Sequence, residues 1–445
     1  MPTMRVKVQV AVALVALAAA ATAAVVPVSP TGGAKVALLP DAQKRVMSFA
    51  THGERVADIK ADGERPKDAR IYAKGGAPKW RTSLPLRLEW RTTDGEAGPW
   101  KIVIGKTPDL AGATEVWLNS EAALRMSLSE KGGAGQKVDG KTHVYTYEMP
   151  CANLEIGRTY YWKVWSNVAC RRFPHGSTMY AKCPHCDGRR AVASDVASFA
   201  TEDLPPRWIK MKGGIANVRD LGGWKTPDGR RVRQGMAFRG QGLNDGSVNG
   251  ERPGPCRITV EDLKYMRDVL GIKTDLDLRT DLEAGGMGES PLGEGVRLVQ
   301  RASPAYEGLF AVGAKAGGFN MHLCADGKKA TAENFRVFCD KANYPIYFHC
   351  AGGADRTGSL AYVLLGVLGV QKHDAEVDWE STFYPNLSEL DCARDQWRSE
   401  QHFDDGLAAY GGADTPWTRR IELYLADCGV TQEEIDRFRA IMLEP

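Results

Sequence analysis

Residues 344–358, YPIYFHCAGGADRTG, decide how the C-terminal half of this chain is read. Tyr344 to Phe348 is a short, β-rich apolar run broken by Pro345, and Leu360 to Val370 is a longer apolar stretch with the character of a buried helix. A glycine-rich turn therefore joins a predicted strand to a predicted helix. Such a turn aims its backbone N–H groups at the space above the helix N-terminus, where the helix dipole favours an anion. Ala351, Gly352, Gly353 and Ala354 are read as the wall of this anion cradle, with Thr357 and Gly358 closing it.

The side chains in the turn suit phosphoryl chemistry. A cysteine at the base of the cradle feels the same field, which can draw a thiol pKa well below its free value of about 8.5 and leave a nucleophilic thiolate. Cys350 is the candidate nucleophile. Six residues later Arg356 can hold two phosphoryl oxygens with its planar fork. Thr357 offers a hydroxyl near the sulfur, and His349 is read as a neighbour that tunes the thiolate. The structural alternative is a buried cysteine before an ordinary glycine turn. His349, the paired glycines and the closing Asp355-Arg356-Thr357-Gly358 argue against it.

At 445 residues the chain has length for two domains, each with its own core. Its formal net charge of +3 comes with no long basic run, so nucleic acid is not implied as a partner. Arg5 and Lys7, the apolar run Val8 to Ala21 and then Ala21-Thr22-Ala23 have the pattern of a secretory signal over residues 1–23. The expectation is a secreted or periplasmic protein, with membrane attachment only if that segment stays uncleaved. The ten cysteines suit export, although a thiolate enzyme outside the cytoplasm is exposed to oxidation.

Residues 24–41 are rich in Pro, Gly and Ala and read as a linker. Beyond them, 42–205 carries short strand-like runs: Leu86 to Trp90, Trp100 to Ile104, Val144 to Tyr147, Thr159 to Trp165 and Ala197 to Thr201. This spacing fits an antiparallel sandwich. The order LRLEW, WKIVIGKTPDL, LEIGRTYYWKVWS and SFAT resembles a fibronectin type III or related immunoglobulin-like sandwich, which implies a binding or spacing role with a protein or glycan ligand. An insert at 169–190 holds Cys170, His175, Cys183, His185 and Cys186. Its CPHC step has zinc-ligand spacing, and a disulfide from Cys170 to Cys183 or Cys186 would staple the same loop. Both readings are structural.

From 206 to 445 strand and helix signals alternate, which argues an α/β domain with a central, mostly parallel sheet flanked by helices. Thr259 with Asp262 reads as a helix start and Gly271 as its stop, followed by a strand over Ile272 to Leu278. A helix is expected from Thr331 to Ala342, and a helical pair at Trp417 to Ala426 and Thr431 to Met442, with Thr431 and Glu434 as a capping box.

The motifs NVRDLGG (217–223), FRG (238–240), DLRT (277–280) with Glu283, and HCAGGADRTG (349–358) are similar in order and spacing to the bacterial tyrosine-phosphatase-like family. That family includes secreted protein-tyrosine, dual-specificity and phosphoinositide phosphatases. The resemblance implies Cys350 as nucleophile, Arg356 as phosphate clamp and Asp355, the residue before the arginine, as proton donor to the leaving oxygen. Asp277 is the second candidate acid, with pairing to Arg279 or Arg219 as its structural alternative. Arg239 and Arg279 are candidate phosphate ligands, or else members, with Arg219, of internal ion pairs. Many relatives carry lysine where this chain has Ala354, and the missing cation argues for a singly phosphorylated substrate over an inositol lipid. The expected protein is an exported cysteine phosphatase that needs no cofactor or catalytic metal and acts on phosphorylated protein or small phosphomonoesters. A phosphoinositide, inositol phosphate or phosphoglycan phosphatase is one alternative, and a catalytically silent phosphate-binding or adhesion protein another.

Overall fold

The computed structural model describes residues 25–61, 83–93, 100–118, 136–137, 142–166, 191–212, 215–244, 258–303, 325–382 and 406–445. The predicted signal segment and the cysteine-containing insert at 169–190 lie outside them. The chain forms two compact units. One comprises Met1–Ala37, Pro85–Ala152 and Gly157–Glu202, the other Leu38–Leu84, Asn153–Ile156 and Asp203–Pro445.

The first unit contains only strands among its described residues: β1 (Val25–Ser29), β2 (Ala34–Val36), β3 (Leu86–Thr93), β4 (Trp100–Gly105), β5 (Thr114–Leu118), β6 (Gln136–Lys137), β7 (Thr142–Met149), β8 (Thr159–Ser166), β9 (Val192–Ala193) and β10 (Ala197–Thr201). They make two sheets, ordered β1-β3-β7-β6 and β2-β10-β8-β4-β5, with β9 on β8. All pairings are antiparallel except β2 with β10. In β8, TYYWKVWS, alternate residues are buried, as a two-faced strand requires. The sheets meet through Trp90 of β3 and Trp100 of β4, ring centroids 5.4 Å apart, with Tyr145 of β7 packed 5.8 and 4.9 Å from them.

Two expectations about this region are corrected. Residues 24–41 are not a linker, because they supply β1 and β2. Pro27 is tolerated because β1 is an edge strand, where a missing N–H costs no ladder bond, and Gly32 and Gly33, at φ +61° and +75°, turn the chain between the two strands. The segment from Leu38 to Leu84 then leaves the β unit altogether. Its helices α1 (Asp41–Met47) and α2 (His52–Ala61) belong to the second unit. The start of the stretch expected as sandwich, 42–205, is therefore helical and belongs to the second unit, and the strand-like runs, which begin at Leu86, gave no sign of it.

The second unit is built on a six-stranded sheet of β11 (Arg207–Trp208), β12 (Arg219–Asp220), β13 (Ala237–Gly240), β14 (Thr274–Asp277), β15 (Arg297–Gln300) and β16 (Ile346–His349), ordered β11-β12-β13-β16-β14-β15. The four strands β13, β16, β14 and β15 are parallel, and β12 and β11 extend them antiparallel. The sheet is therefore mixed, with a parallel centre. β16 lies in the middle with every residue buried, which explains its unbroken apolar reading. Its side chains still alternate: Ile346 and Phe348 enter the core that holds Phe335, Phe338 and Phe438, whereas Tyr347 joins Val218, Phe238 and Met266 on the other face.

Helices α3 (Val260–Lys264, continued by a π turn to Val269), α4 (Asp281–Ala284), α5 (Ala325–Phe338), α6 (Asp355–Val367), α7 (Lys372–Glu380), α8 (Trp417–Asp427) and α9 (Gln432–Met442) complete the unit. Thr259 caps α3, and Thr431 with Glu434 forms the expected capping box. Both ends of two helices move, α5 beginning at Ala325 and not at Thr331. α5 ends at Phe338 because Asp340 caps a separate 3-10 turn over Lys341–Asn343. α6 begins at Asp355, earlier than its apolar pattern suggests, since its first turn carries the polar residues of the candidate site. It ends before Gly369, at φ +83°.

Phe338 supports β16 from below, packing edge-on to Phe348 at 5.4 Å, Phe438 at 6.2 Å and Tyr344 at 6.5 Å. Phe338→Ala is expected to destabilise the second unit by about 3–5 kcal/mol. Urea unfolding followed by tryptophan fluorescence measures this, and a much smaller loss would mean that the aromatic cluster does not carry the strand.

Candidate active site

The turn after β16 is held by its carbonyls. His349 Nδ1 lies 3.1 Å from the Cys350 carbonyl, and Gly242 N–H donates to Ala351 O at 3.1 Å. Asn217 Nδ2 donates to Gly352 O and Gly353 O at 3.1 and 3.2 Å, and Arg239 Nη2 donates to Gly353 O at 2.9 Å. Four successive carbonyls are thus fastened to the protein. In a trans peptide the next residue's N–H points opposite to the C=O. The amides of Ala351, Gly352, Gly353 and Ala354 consequently face the other way, on the loop that leads into the first turn of α6. Gly353 sits at φ +69°, and a Cβ there would overlap the Gly240 carbonyl, so only glycine fits.

Cys350 lies at the base of this ring, buried, with 3 % of its surface exposed. Burial opposes ionisation, yet its thiol is held below the ordinary range. The Arg356 charge and the neighbouring Thr357 outweigh the burial and the nearby Asp355. Asp355 is the first residue of α6 and is half-buried. Arg356 points toward Glu283 of α4: Nη1 donates to Oε2 at 2.6 Å and Nη2 to Oε1 at 2.8 Å. A guanidinium has five N–H donors, of which this carboxylate takes two, so the pair sets the plane of the fork.

His349 is buried directly beneath the ring. Its Nε2 lies 2.9 Å from Asp275 Oδ1 and its Nδ1 lies 3.7 Å from Asp277 Oδ1. Both ring nitrogens face oxygen acceptors and are assigned as donors, and the charges of Asp277 and Asp275 raise the imidazole pKa against the effect of burial. His349 can therefore hold the Cys350 carbonyl and the two aspartates together.

Several expected site residues take other roles. Asp277 is fully buried and accepts from Arg279 Nε at 2.9 Å, Arg279 Nη2 at 2.6 Å and the Arg279 N–H at 3.0 Å. Although burial pushes its carboxyl up, His349 and Arg279 bring it below the usual range. Asp277 is thus committed to Arg279, whereas Asp355, in the first turn of α6 beside Cys350, is the better placed of the two candidate acids. Arg279 Nη2 also donates to Asn244 Oδ1 at 2.6 Å, so most of its fork is engaged within the protein. Arg239 and Arg219 lie opposite each other on β13 and β12 and share the Asp378 carboxylate of α7. Burial and the Arg219 charge lower the Arg239 pKa to about 10, with Asp378 opposing them. Two like charges side by side in a sheet need this common counter-ion. Gly358 has a packing role: a Cβ at that position would overlap the Trp379 indole, so the glycine lets α6 approach α7.

These observations place a CX5R turn, with its amides turned outward over an acidified cysteine, at the C-terminal end of a central parallel strand. The description of the tyrosine phosphatase family matches residues 210–444. The chain belongs to this family. A Cupriavidus necator protein named as a tyrosine-protein phosphatase is 32 % identical over 173 residues, covering 36 % of this chain and 58 % of that relative. The chain thus spans a little over half the length of the relative. Among solved structures, the core catalytic domain of the Saccharomyces cerevisiae PP-IP phosphatase SIW14, in complex with citrate, is 14 % identical. It covers 36 % of this chain and 85 % of its own at a TM-score of 0.21. A second structure of the Siw14 catalytic core is 13 % identical, covering 41 % and 90 % at 0.23. Both likenesses are too slight to bear on fold or substrate.

Glu283, Asp378, Asn217 and Asp275 were not singled out as site residues from the sequence. Glu283 is readable as a capping residue, since Thr280 and Glu283 cap α4 reciprocally at 3.0 and 3.2 Å. Its grip on Arg356 is not, because 73 residues separate the two. The family motif around Asn217 offered a signal for that residue, and none marked Asp378.

The thiol chemistry is open to measurement. Alkylation of Cys350 by iodoacetamide, followed by peptide mass spectrometry, is expected to rise with a midpoint below the ordinary cysteine value of about 8.5. Arg356→Met should move that midpoint upward. Cys339 and Cys428, both pushed up to about 12 by burial, serve as slow internal references. An unchanged midpoint in Arg356→Met would refute the assigned cause.

Proposed function

We propose that the protein is a metal-independent phosphomonoesterase working through a cysteinyl-phosphate, with phosphotyrosine or dual-specificity protein substrates. The observation that carries this reading is the fastening of all four loop carbonyls, which turns four amides toward the space above an acidified Cys350. In the proposed cycle the Cys350 thiolate attacks phosphorus as the P–O bond to the leaving group breaks. Asp355 supplies the proton that the departing oxygen needs, because an alkoxide or phenoxide leaves poorly without one. Arg356, oriented by Glu283, and the loop amides hold the non-bridging oxygens. Asp355, now a carboxylate, then takes a proton from water as its oxygen attacks phosphorus and the thiolate departs.

Ala354 supports the preference for singly phosphorylated substrates, since no cationic side chain stands at that point of the loop. Export belongs to the same proposal and rests on Arg5, Lys7 and the apolar run after them. The fibronectin-like reading of the β unit, with a protein or glycan ligand, has the support of its two antiparallel-dominated sheets and shared aromatic core.

Turnover of an aryl phosphate in reductant and chelator is the decisive assay, followed by a panel of phosphopeptides and phosphoinositides. Cys350→Ser is expected to reach baseline and Arg356→Met to lose about 10²–10³-fold in kcat. Asp355→Asn should lose more, up to about 10⁴-fold, on an alkyl phosphate than on an aryl phosphate, whose better leaving group needs less protonation. No turnover by the wild type would sink the enzyme reading, and faster turnover of phosphoinositides than of phosphopeptides would replace the substrate.

A further inference from the structure

Helices α1 and α2 lie far upstream of the family region, which begins at residue 210, yet they are part of the same compact unit. α2 sends a completely buried arginine into α7. Arg55 Nε and Nη2 donate to Glu380 Oε2 and Oε1 at 2.6 and 2.8 Å, while Nη1 donates to the Phe49 carbonyl at 3.0 Å. His52 Nδ1 also lies 2.8 Å from Glu380 Oε1. Replacing a buried ion pair of this kind by apolar side chains is often neutral in stability, so what the charges add is orientation. A planar fork on a carboxylate fixes how the two helices are rotated against each other.

That rotation matters because the last turn of α7 presents three consecutive residues to three partners. Glu380 meets Arg55 of α2. Trp379 closes on Gly358 in the first turn of α6 and stacks edge-on against Tyr362 at 5.6 Å. Asp378 binds Arg219 and Arg239, and Arg239 in turn holds the Gly353 carbonyl. Arg219 also donates to Asn217 Oδ1 at 2.6 Å, and Asn217 holds the Gly352 and Gly353 carbonyls. Every link is a buried contact with a defined direction.

We infer that the Arg55–Glu380 pair is a positioning device for the phosphate loop, by which a helix outside the family region sets α7 and, through Asp378, the inward tilt of the loop carbonyls. The inference rests on the loop being the phosphate site proposed above. It makes α2 a working part of the catalytic unit, with Arg55, Glu380 and Asp378 as positioning residues that never touch substrate.

The test uses the full chain with inorganic phosphate as ligand, measured by calorimetry, alongside the alkylation profile of Cys350 and aryl phosphate kinetics. The double variant Arg55→Met with Glu380→Met replaces the pair by apolar side chains, and Arg55→Lys keeps the charge while losing the fork. The double variant should unfold near the wild-type temperature but bind phosphate about five- to tenfold more weakly, with Arg55→Lys in between. Its Cys350 alkylation midpoint should rise, a readout that a purely structural pair would leave alone. Phosphate affinity and alkylation midpoint both within about twofold of wild type in a folded variant would overturn the inference. Should the double variant fail to fold, Arg55→Lys decides on the same criteria. A wild type that binds phosphate without turning over any ester would sink the phosphatase reading and leave this one standing. A wild type that binds no phosphate would remove the site on which the inference rests and overturn it.

Discussion

The constraint on which this site depends is the inward fastening of the loop carbonyls from Cys350 to Gly353. A peptide plane has two ends, and a loop can offer its N–H groups to an anion only if its C=O groups are satisfied elsewhere. Here they are satisfied by His349, the Gly242 amide, Asn217 and Arg239, all buried. These partners come from β13, β16 and the adjoining loops, so the sheet that forms the core also fixes the cradle. Gly353 is the point where the requirement becomes strictest, because its backbone passes against the Gly240 carbonyl.

A second layer of charge makes the first one affordable. Burying Arg219, Arg239, Arg279 and Arg356 unpaired would be prohibitive, and each has a carboxylate: Asp378 for the first two, Asp277 for the third, Glu283 for the fourth. Among these charges Arg356 and Asp355 act most strongly on the Cys350 thiol, in opposite directions. The remaining charges shape the loop. Most of the conspicuous arginines in the motifs are therefore scaffold, and the candidate chemistry narrows to Cys350, Asp355, Arg356 and Thr357.

The architecture of the N-terminal region shows a different constraint. The strand-like runs were legible from alternation, and all became strands. The linker reading of residues 24–41 failed because prolines and glycines mark both loose segments and edge strands joined by tight turns. The placement of α1 and α2 with the second unit was illegible, since nothing local in DAQKRVM or HGERVADIKA names Glu380 as the partner of Arg55.

What the sequence by itself determined is the chemistry that depends on neighbours in the chain. The strand, glycine turn and helix around Cys350, the spacing from Cys350 to Arg356, the capped helices and the alternating strands all follow from local periodicity and from the few residues that tolerate each backbone conformation. The tertiary structure alone decided which charges meet. It paired Asp277 with Arg279, gave Arg356 to Glu283, let Asp378 serve two arginines, and brought α2 to α7. The physical reason is that a buried charge must find its counter-ion in space, and the partner is chosen by the packing of the whole unit and carries no mark in the residues beside it.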